Sequence, residues 1–218
     1  MRTKVGAMML VGAMVLALAS TDVVWADETG NEVFFRGGWA SLTSNRQNEL
    51  FTDLGGTGGT LNNSKSGYYV GGGLDLMLSR DFWGMMNKVA VLGEIGVEYN
   101  RFKSQVVTNS SALLPVPGPP SKEQLTMLVV DIAPKIKFMQ GSAFQPWIIP
   151  AGMDFIVISP PSNQTTVLDI GVQFAVGAEY RIWKEFKLGV DGRFHLASGQ
   201  TNTTNNFGTV GGYIGIGF

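Results

Sequence analysis

The sequence predicts an all-β fold, an eight-stranded antiparallel transmembrane β-barrel. Three observations carry this prediction: apolar and polar residues alternate with a period of two, the connections alternate between long and short, and aromatic residues collect at both ends of the predicted strands. The chain has 218 residues, 44% hydrophobic and 15% charged, with 29 glycines and no cysteine. This composition fits one large domain and excludes a disulfide framework.

Residues 1–26 have the pattern of a cleaved secretory signal peptide. Two basic residues precede the apolar run VGAMMLVGAMVLALAS, and a small-x-small pattern occupies residues 24–26. Cleavage is therefore expected after Ala26, which leaves residues 27–218 as the barrel domain. An uncleaved membrane anchor is the alternative, but the apolar run is short for a spanning helix.

Charge and hydropathy exclude several classes of protein. The 16 Lys and Arg residues nearly balance the 17 Asp and Glu residues, so no basic field favours nucleic acid. After the signal, the sequence contains no run of about 20 apolar residues, which excludes a helical membrane protein.

The alternation itself defines the strands. In VLDIGVQFAVGAEYRI, the even-numbered side chains from Ile170 to Ile182 are apolar, and the odd-numbered ones from Asp169 to Arg181 are polar or small. The same split occurs in LTMLVVDIAPKIKF and, more weakly, in KVAVLGEIGVEYNRF. The predicted strands are residues 32–42, 67–78, 88–103, 125–138, 146–158, 168–182, 186–197 and 207–218.

The connections and the aromatic residues predict two different ends. Long polar or Gly/Pro-rich segments follow the first and third strands, and short turns follow the second, fourth and sixth, a layout of short periplasmic turns and longer extracellular loops. An aromatic girdle is expected at each water interface, whereas a soluble Greek-key sandwich, the alternative, would bury its aromatic residues centrally. The short-turn girdle comprises Phe82, Trp83, Phe138, Phe144, Trp147, Trp183, Phe186 and Phe218, and the opposite girdle comprises Trp39, Tyr68, Tyr99, Phe155, Phe194 and Phe207.

The last predicted strand, GTVGGYIGIGF, explains how the barrel closes. Val210, Ile214, Ile216 and Phe218 share one face, which is expected to meet lipid. Pairing of this strand with the first one removes the unpaired backbone edge that hydrocarbon cannot hydrate.

Together these features resemble the small eight-stranded outer-membrane barrels of Gram-negative bacteria, the OmpA-like and OmpX-like surface proteins. The resemblance covers nearly all of residues 30–218 and is carried by LVVDIAPKIKF, QPWIIPAGMDF, LGVDGRFHL and the terminal Phe218. It implies a place in the cell outer membrane, contact with its lipids and lipopolysaccharide, and recognition of the last strand by the barrel assembly machinery. No peptidoglycan-binding domain is expected after Phe218.

The inward face is rich in ionisable residues. An eight-stranded barrel is only wide enough to be filled by its own side chains, so these charges are expected to pair and plug it, with an ion pathway as the alternative. A short turn at residues 183–185 would place Glu179 near Lys187. The predicted inward residues are Arg36, Asp75, Glu94, Glu98, Asp131, Lys135, Lys137, Asp154, Asp169, Glu179, Arg181, Lys187, Asp191, Arg193 and His195.

His195, the single histidine, raises the question of an enzyme. Outer-membrane lipid A deacylases place a His and a Ser two residues apart, whereas Ser198 is three residues from His195 and would face the opposite way in a regular strand. In the enzyme alternative, Asp169 would orient the ring, and a bulge in the strand would bring Ser198 to the same face as His195. We therefore expect an interior histidine, with no catalytic, cofactor or metal site.

The loops and the rim complete the functional prediction. LGGTGGT at residues 54–60 lacks the Lys and Ser/Thr of a phosphate-binding loop, and PVPGPP at residues 115–120 stiffens an outer loop that could present a surface to a partner. Arg101 and Lys103 lie near the outer rim, where they would meet lipopolysaccharide phosphates or remain solvated. The prediction is a monomer with a structural or surface-interaction role carried by its loops. The alternatives are a narrow channel or apolar-solute conduit, and a lipid A-modifying enzyme.

Overall fold

The computed structural model describes residues 30–43, 65–103, 105–107, 121–123, 125–159, 167–198 and 205–218. The predicted signal peptide and the LGGTGGT and PVPGPP segments lie outside the described residues. Among the described residues, no helix is long and apolar enough to cross a membrane.

Eight strands form one closed antiparallel barrel, as the alternation predicts. The strands are β1 (Glu32–Leu42), β2 (Ser66–Ser79), β3 (Val89–Phe102), β4 (Gln105–Val107), β5 (Ser121–Glu123), β6 (Thr126–Phe138), β7 (Phe144–Ser159), β8 (Val167–Trp183), β9 (Phe186–Ala197) and β10 (Phe207–Gly217). Around the barrel their order is β1, β10, β9, β8, β7, β6, β3 and β2, while β4 and β5 pair separately with each other. Because each barrel strand bonds to its neighbours around a single closed sheet, the sandwich alternative is wrong.

Every predicted end of a barrel strand lies within two residues of the observed one. The pair β4 and β5 was not predicted, because each is only three residues long and flanks a Pro-rich segment. Such a short strand contains too few residues to show an alternation of its own.

The connections define two ends of the barrel. The turn end carries residues 80–88, 139–143 and 184–185, and the loop end carries residues 43–65, 103–125, 160–166 and 198–206. The two longest connections are both at the loop end, as predicted. Length alone does not separate the ends, however, because residues 160–166 are fewer than residues 80–88.

Closure occurs between the first and last strands. They pair in antiparallel register from Glu32 opposite Gly217 to Leu42 opposite Phe207. Two glycines from each strand face each other at the middle of this seam, and a Cβ on Gly38 would overlap with the backbone of Val210 and Gly211. The glycines therefore allow the close backbone approach that closes the barrel.

A bulge in β7 reverses the direction in which its side chains point. The register with β8 shifts between Ile149 and Gly152, where β7 has an extra residue, and both Pro150 and Ala151 are exposed. Odd-numbered residues face inward before the bulge and even-numbered residues after it. Trp147 is consequently buried, with 1% exposure, and its assignment to the aromatic girdle is wrong.

The outward face is apolar along all eight strands. Val176 and Val190, in the middle of β8 and β9, are 62% and 64% exposed. Of the predicted girdle residues, Phe82, Phe138 and Phe155 are half-buried. Phe207 is fully buried, because it shares the inward parity of Tyr213, so its girdle assignment is wrong. The exposed girdle residues are Trp39, Tyr68, Tyr99 and Phe194 at the loop end, and Trp83, Phe144, Trp183, Phe186 and Phe218 at the turn end.

Two glycines on β9 offer a matched test of how tightly the interior is filled. A Cβ on inward Gly189 would overlap with the Tyr213 ring, whereas one on outward Gly192 would meet nothing closer than 3.9 Å. We expect Gly189→Val to lower the free energy of unfolding by about 1–3 kcal/mol through overpacking. Gly192→Val should leave it nearly unchanged in denaturant titrations of the folded barrel. Equal effects of the two changes would contradict a tightly filled interior.

Candidate functional site

The barrel interior contains most of the ionisable side chains of the strands. All the predicted inward residues except Arg181 and Lys187 are at most 5% exposed. Lys187 has 14% side-chain exposure, and Arg181 lines the mouth of the barrel at the turn end. Glu32 is also fully buried and was missed, although it has the same parity as Arg36 on β1. The inward prediction is thus confirmed and extended by one carboxylate.

Four of these residues form a charge-balanced ring near the turn end. We call Glu32, Lys137, Glu179 and Lys187 the four-charge ring. Lys187 Nζ lies 2.6 Å from Glu32 Oε2 and 3.0 Å from Glu179 Oε1. Lys137 Nζ lies 2.9 Å from Glu179 Oε1 and 3.4 Å from Glu32 Oε2. The predicted proximity of Glu179 and Lys187 is confirmed, and each charge in the ring contacts both opposite charges.

Lys135 stands at the centre of the barrel between two carboxylates. Its Nζ lies 2.7 Å from Asp75 Oδ2 and 3.1 Å from Glu94 Oε2. The same ammonium group lies 4.2 Å from the centroid of the Trp147 ring. A cation between two carboxylates and an aromatic face is well compensated for its loss of water.

Two arginines continue this cluster toward the loop end. Arg36 lies 2.8 Å from Glu98, between Nη2 and Oε2, and 3.5 Å from Asp191, between Nη1 and Oδ2. Arg193 Nε lies 2.9 Å from the same Asp191 oxygen, and its Nη1 contacts Glu94 closely. Shared carboxylates therefore connect Lys135, Arg193 and Arg36 into one central cluster.

Neutral side chains donate hydrogen bonds to the buried carboxylates, which outnumber the buried cations. Nine buried carboxylates face only four buried Lys and Arg side chains, with Lys187 partly exposed beside them. Gln173 Nε2 donates to Asp131 Oδ1 at 2.9 Å, and Tyr69 OH donates to Asp191 Oδ1 at 3.2 Å. Trp147 Nε1 donates to Tyr213 OH, which donates to Glu179. These four residues were not among the predicted inward residues, because that prediction covered only Asp, Glu, Lys, Arg and His side chains.

An apolar layer covers the charges at the loop end. Its members are side chains from the loop-end halves of six strands, together with Leu125 just before β6, and all are at most 5% exposed. They are Ala40, Leu42, Tyr69, Phe102, Leu125, Met127, Val129, Ile156, Ile158 and Phe207. A solute moving along the barrel axis would have to pass both this layer and the central cluster.

His195 belongs to the loop-end interior, as expected, and its partner is Asp154 and not Asp169, the residue that the enzyme alternative required. Its Nδ1 lies 2.8 Å from Asp154 Oδ2, and its ring stacks on Phe207 with centroids 4.3 Å apart. Asp169 instead accepts a hydrogen bond from Ser198 Oγ at 2.5 Å. Ser198 is exposed and follows Ala197, the last residue of β9, so the alternation of a regular strand does not apply to it. Its hydroxyl can therefore reach the inward Asp169.

The loop-end rim carries an ordered row of amphipathic side chains on the outside. Trp39 lies opposite Tyr68, and Tyr68 lies opposite Arg101, across three adjacent strands. Arg101 Nη1 donates to Tyr68 OH at 3.4 Å, and Trp39 Nε1 donates to Ser66 Oγ at 2.6 Å. Lys103 is exposed just beyond β3. Arg101 thus lies on the outer rim, as predicted.

The outer wall and the turn end each carry an opening. A shallow groove of about 710 Å³ lies on the outer wall between Trp39, Phe174 and Phe194. A polar recess of about 40 Å³ at the turn end has room for one or two waters. Within the described parts of the chain, no three His, Asp or Glu side chains are arranged as metal ligands.

The four-charge ring predicts how its stability responds to substitution. Glu179→Gln or Lys187→Met alone leaves an uncompensated charge, so each should lower the free energy of unfolding by roughly 1–3 kcal/mol. This is less than the about 3–5 kcal/mol of a fully buried pair, because Lys187 is partly exposed. The double variant leaves Glu32 paired with Lys137 and should recover part of the loss. Urea unfolding midpoints of all four proteins measure the coupling.

Additive losses in the double variant would show that the ring does not act as a unit. A useful control is the pair of changes made at Lys184 and Glu185, which lie in the adjoining turn. Both residues are at least partly exposed, so their substitution should change stability little.

Comparisons with known proteins concern the fold. No family model matches the chain, and no curated protein matches it. Among solved structures, Neisserial surface protein A is similar with a TM-score of 0.53 and 15% identity, over 87% of this chain and 98% of that one. The outer membrane enzyme PagL has a TM-score of 0.48 at 12% identity over 86% and 99% of the two chains. The N-terminal barrel domain of Pseudomonas aeruginosa OprF has 0.47 at 11% over 87% and 98%.

At 15% identity, the likeness to Neisserial surface protein A extends to the fold and not to a role. It agrees with the closed eight-stranded antiparallel sheet. The chain has the fold of the small eight-stranded outer-membrane β-barrels.

Proposed function

We propose that the protein is an integral β-barrel of the bacterial outer membrane, with a structural or surface-interaction role carried by the segments at its loop end. The observation that carries this proposal is the inverted distribution of polarity. Outward Val176 and Val190 are largely exposed, whereas inward Asp75, Glu94 and Glu98 are fully buried. A water-soluble protein rarely exposes so large an apolar surface, while hydrocarbon would cover it without cost.

The closed sheet supports the same placement. Backbone groups in hydrocarbon need partners within the protein, and a barrel without an edge provides them. The pairing of β1 with β10 completes the barrel within one chain, which favours a monomer. The predicted signal peptide would direct the chain to the periplasm, from which the barrel assembly machinery would insert it.

Orientation follows from the connections. The long segments of residues 43–65 and 103–125 belong outside the cell, and the turn end belongs in the periplasm. At the loop-end rim, the row of Trp39, Tyr68 and Arg101 suits the boundary between hydrocarbon and headgroups, because aromatic rings and a cation are favoured there. Lipopolysaccharide phosphates are the partners that this row would meet.

The filled interior favours a closed barrel over a channel. The apolar layer and the central cluster both lie across the axis, and their side chains are nearly all buried. An apolar-solute conduit is also disfavoured, because the wall beneath the outer groove keeps its strand pairing, with Val176 opposite Gly192 and Gly192 opposite Val210. The groove therefore faces lipid without opening into the barrel.

The contacts of His195 and Ser198 do not favour an enzymatic role. His195 uses Asp154 as its partner, and Ser198 uses Asp169. Among the described residues, no hydrogen bond joins His195 to Ser198, and His195 Nε2 has no hydrogen-bond partner. A nucleophile needs its base within hydrogen-bond reach, and this arrangement lacks that contact.

Location and orientation can be tested with short epitope tags. A tag placed within residues 54–60 should be accessible to antibody on intact cells, and a tag between Lys184 and Glu185 should be accessible only after the outer membrane is permeabilised. Both tagged proteins should fractionate with the outer membrane and keep heat-modifiable migration. Recovery in the soluble periplasmic fraction would overturn the proposal.

Conductance recordings test whether the interior of the barrel is closed. Planar-bilayer recordings of the wild-type protein should show at most rare, small openings, because side chains fill the axis of the barrel. Removing the apolar layer in part, with Phe102→Ala and Phe207→Ala, should make openings more frequent if this layer seals the loop end. Steady, large conductance of the wild type would replace the structural role with a channel.

A further inference from the structure

The turn between β2 and β3 carries an unusual group of apolar side chains. Trp83, Met85 and Met86 are 63%, 67% and 55% exposed, and Met139 on the neighbouring turn is 46% exposed. We call these four residues the turn patch. Turns in contact with water are usually polar, so a tryptophan and three methionines together indicate a surface that something apolar covers.

Hydrogen bonds hold this turn in a defined conformation. The Trp83 backbone N–H donates to Ser79 Oγ at 2.7 Å, and the Gly84 N–H donates to Asp81 Oδ1 at 3.0 Å. The Met86 N–H donates to the Asp81 carbonyl at 3.0 Å. The turn patch is therefore presented by an ordered turn.

A further bond joins the two turns that carry the patch. The Gln140 N–H donates to the Lys88 carbonyl at 3.0 Å. Lys88 ends the first turn, and Gln140 follows Met139 in the second, so the bond holds Met139 beside the end of the first turn. The patch is one surface made by two connected turns.

Two bulky residues of this turn adopt a left-handed backbone conformation, which bulky side chains disfavour. Phe82 and Trp83 are consecutive residues with φ of 52° and 55°, followed by Gly84 at 79°. Bulky residues rarely adopt left-handed conformations, which glycine or asparagine would occupy with less strain. A turn that only had to reverse the chain would not need an indole at this position. Strain of this kind points to a function of the side chain itself.

The turn patch continues the apolar outer face of the barrel. Leu74, Leu76 and Leu78 point outward along β2 with exposures of 39%, 38% and 58%, and the turn begins two residues after Leu78. The apolar surface thus extends past the end of the strand into the level where headgroups replace acyl chains.

Three cations and two carboxylates lie around the patch. Exposed Arg80 and Lys88 flank it on either side, and the turn of residues 184–185 carries exposed Lys184 and partly exposed Glu185. The nearby Asp81 carboxylate already accepts hydrogen bonds from Gly84 N–H and Ser79 Oγ within the turn. Apolar side chains flanked by cations are the pattern that binds the interface of a membrane containing anionic lipid.

We propose that residues 80–88 form a membrane anchor at the turn end. Trp83, Met85 and Met86 insert at the boundary between acyl chains and headgroups of the adjacent leaflet, and Arg80 and Lys88 contact phospholipid phosphates. This inference rests on the proposed membrane location. It assigns a lipid surface, and not a protein, as the partner of the turn patch.

The test uses the full mature chain refolded into phospholipid vesicles that contain lipids brominated near the headgroup end of their acyl chains. Bromine quenches the fluorescence of an indole that lies beside it. Wild-type emission should be quenched, and Trp83→Phe should lose a distinct part of that quenching. Trp39→Phe and Trp183→Phe serve as matched controls for exposed girdle tryptophans. Heat-modifiable migration verifies that every variant is folded.

The contribution of charge is measured in the same system. Adding phosphatidylglycerol to phosphatidylcholine vesicles should increase the Trp83 component of quenching, and the double change Arg80→Gln with Lys88→Gln should abolish that increase. The exposed cation Lys103 is at the other end of the barrel, so Lys103→Gln should keep the increase.

The outcomes separate this inference from the proposed membrane location. If Trp39 and Trp183 are quenched by brominated lipid while Trp83 is quenched only by aqueous iodide, the anchor is wrong, and the turn patch is open to a protein partner. If brominated lipid quenches none of the three, the membrane location itself is wrong. A Trp83 component that is insensitive to phosphatidylglycerol would overturn the assigned role of Arg80 and Lys88.

Discussion

The pairing of β10 with β1 is the constraint on which the rest of the structure depends. It removes both edges of the sheet, and eight strands closed in this way leave an interior only wide enough for side chains. Every inward residue must therefore find its partners across a narrow space. Outward apolar residues such as Val176 and Val190 are instead largely exposed, which is why their apolar character carries the functional proposal.

The narrow interior explains why its charges are shared instead of paired one to one. Asp191 contacts both arginines, Glu94 contacts Lys135 and Arg193, and each member of the four-charge ring contacts two others. Replacing such ions by apolar groups need not destabilise a protein. Polar inward residues also interrupt the apolar sequence of every barrel strand. No barrel strand therefore contains the run of about 20 consecutive apolar residues that would form a spanning helix.

The predictions that depend on local alternation are confirmed. Other side chains have positions that depend on a bulge or on the register between distant strands. The strands and the inward charges follow from a period of two. Trp147 was misplaced because the extra residue at Pro150 and Ala151 reverses the inward parity of β7. A single sequence does not show where such an extra residue interrupts the period of two. The partner of His195 depends on the register between strands that are far apart in sequence. Phe207 and Glu32 could have been placed correctly from parity alone.

Apolar side chains fill the interior at the loop end of the barrel, and charged side chains fill it at the turn end. At the loop end, an apolar layer and the stack of His195 on Phe207 close the interior beneath the long connections. At the turn end, the four-charge ring lies directly behind a small polar recess. The apolar layer thus lies between the central cluster and the loops, and Asp169 is an inward charge that contacts a loop segment, through Ser198. Changes in the central cluster should accordingly alter the stability of the barrel without reaching the surface that the loops present.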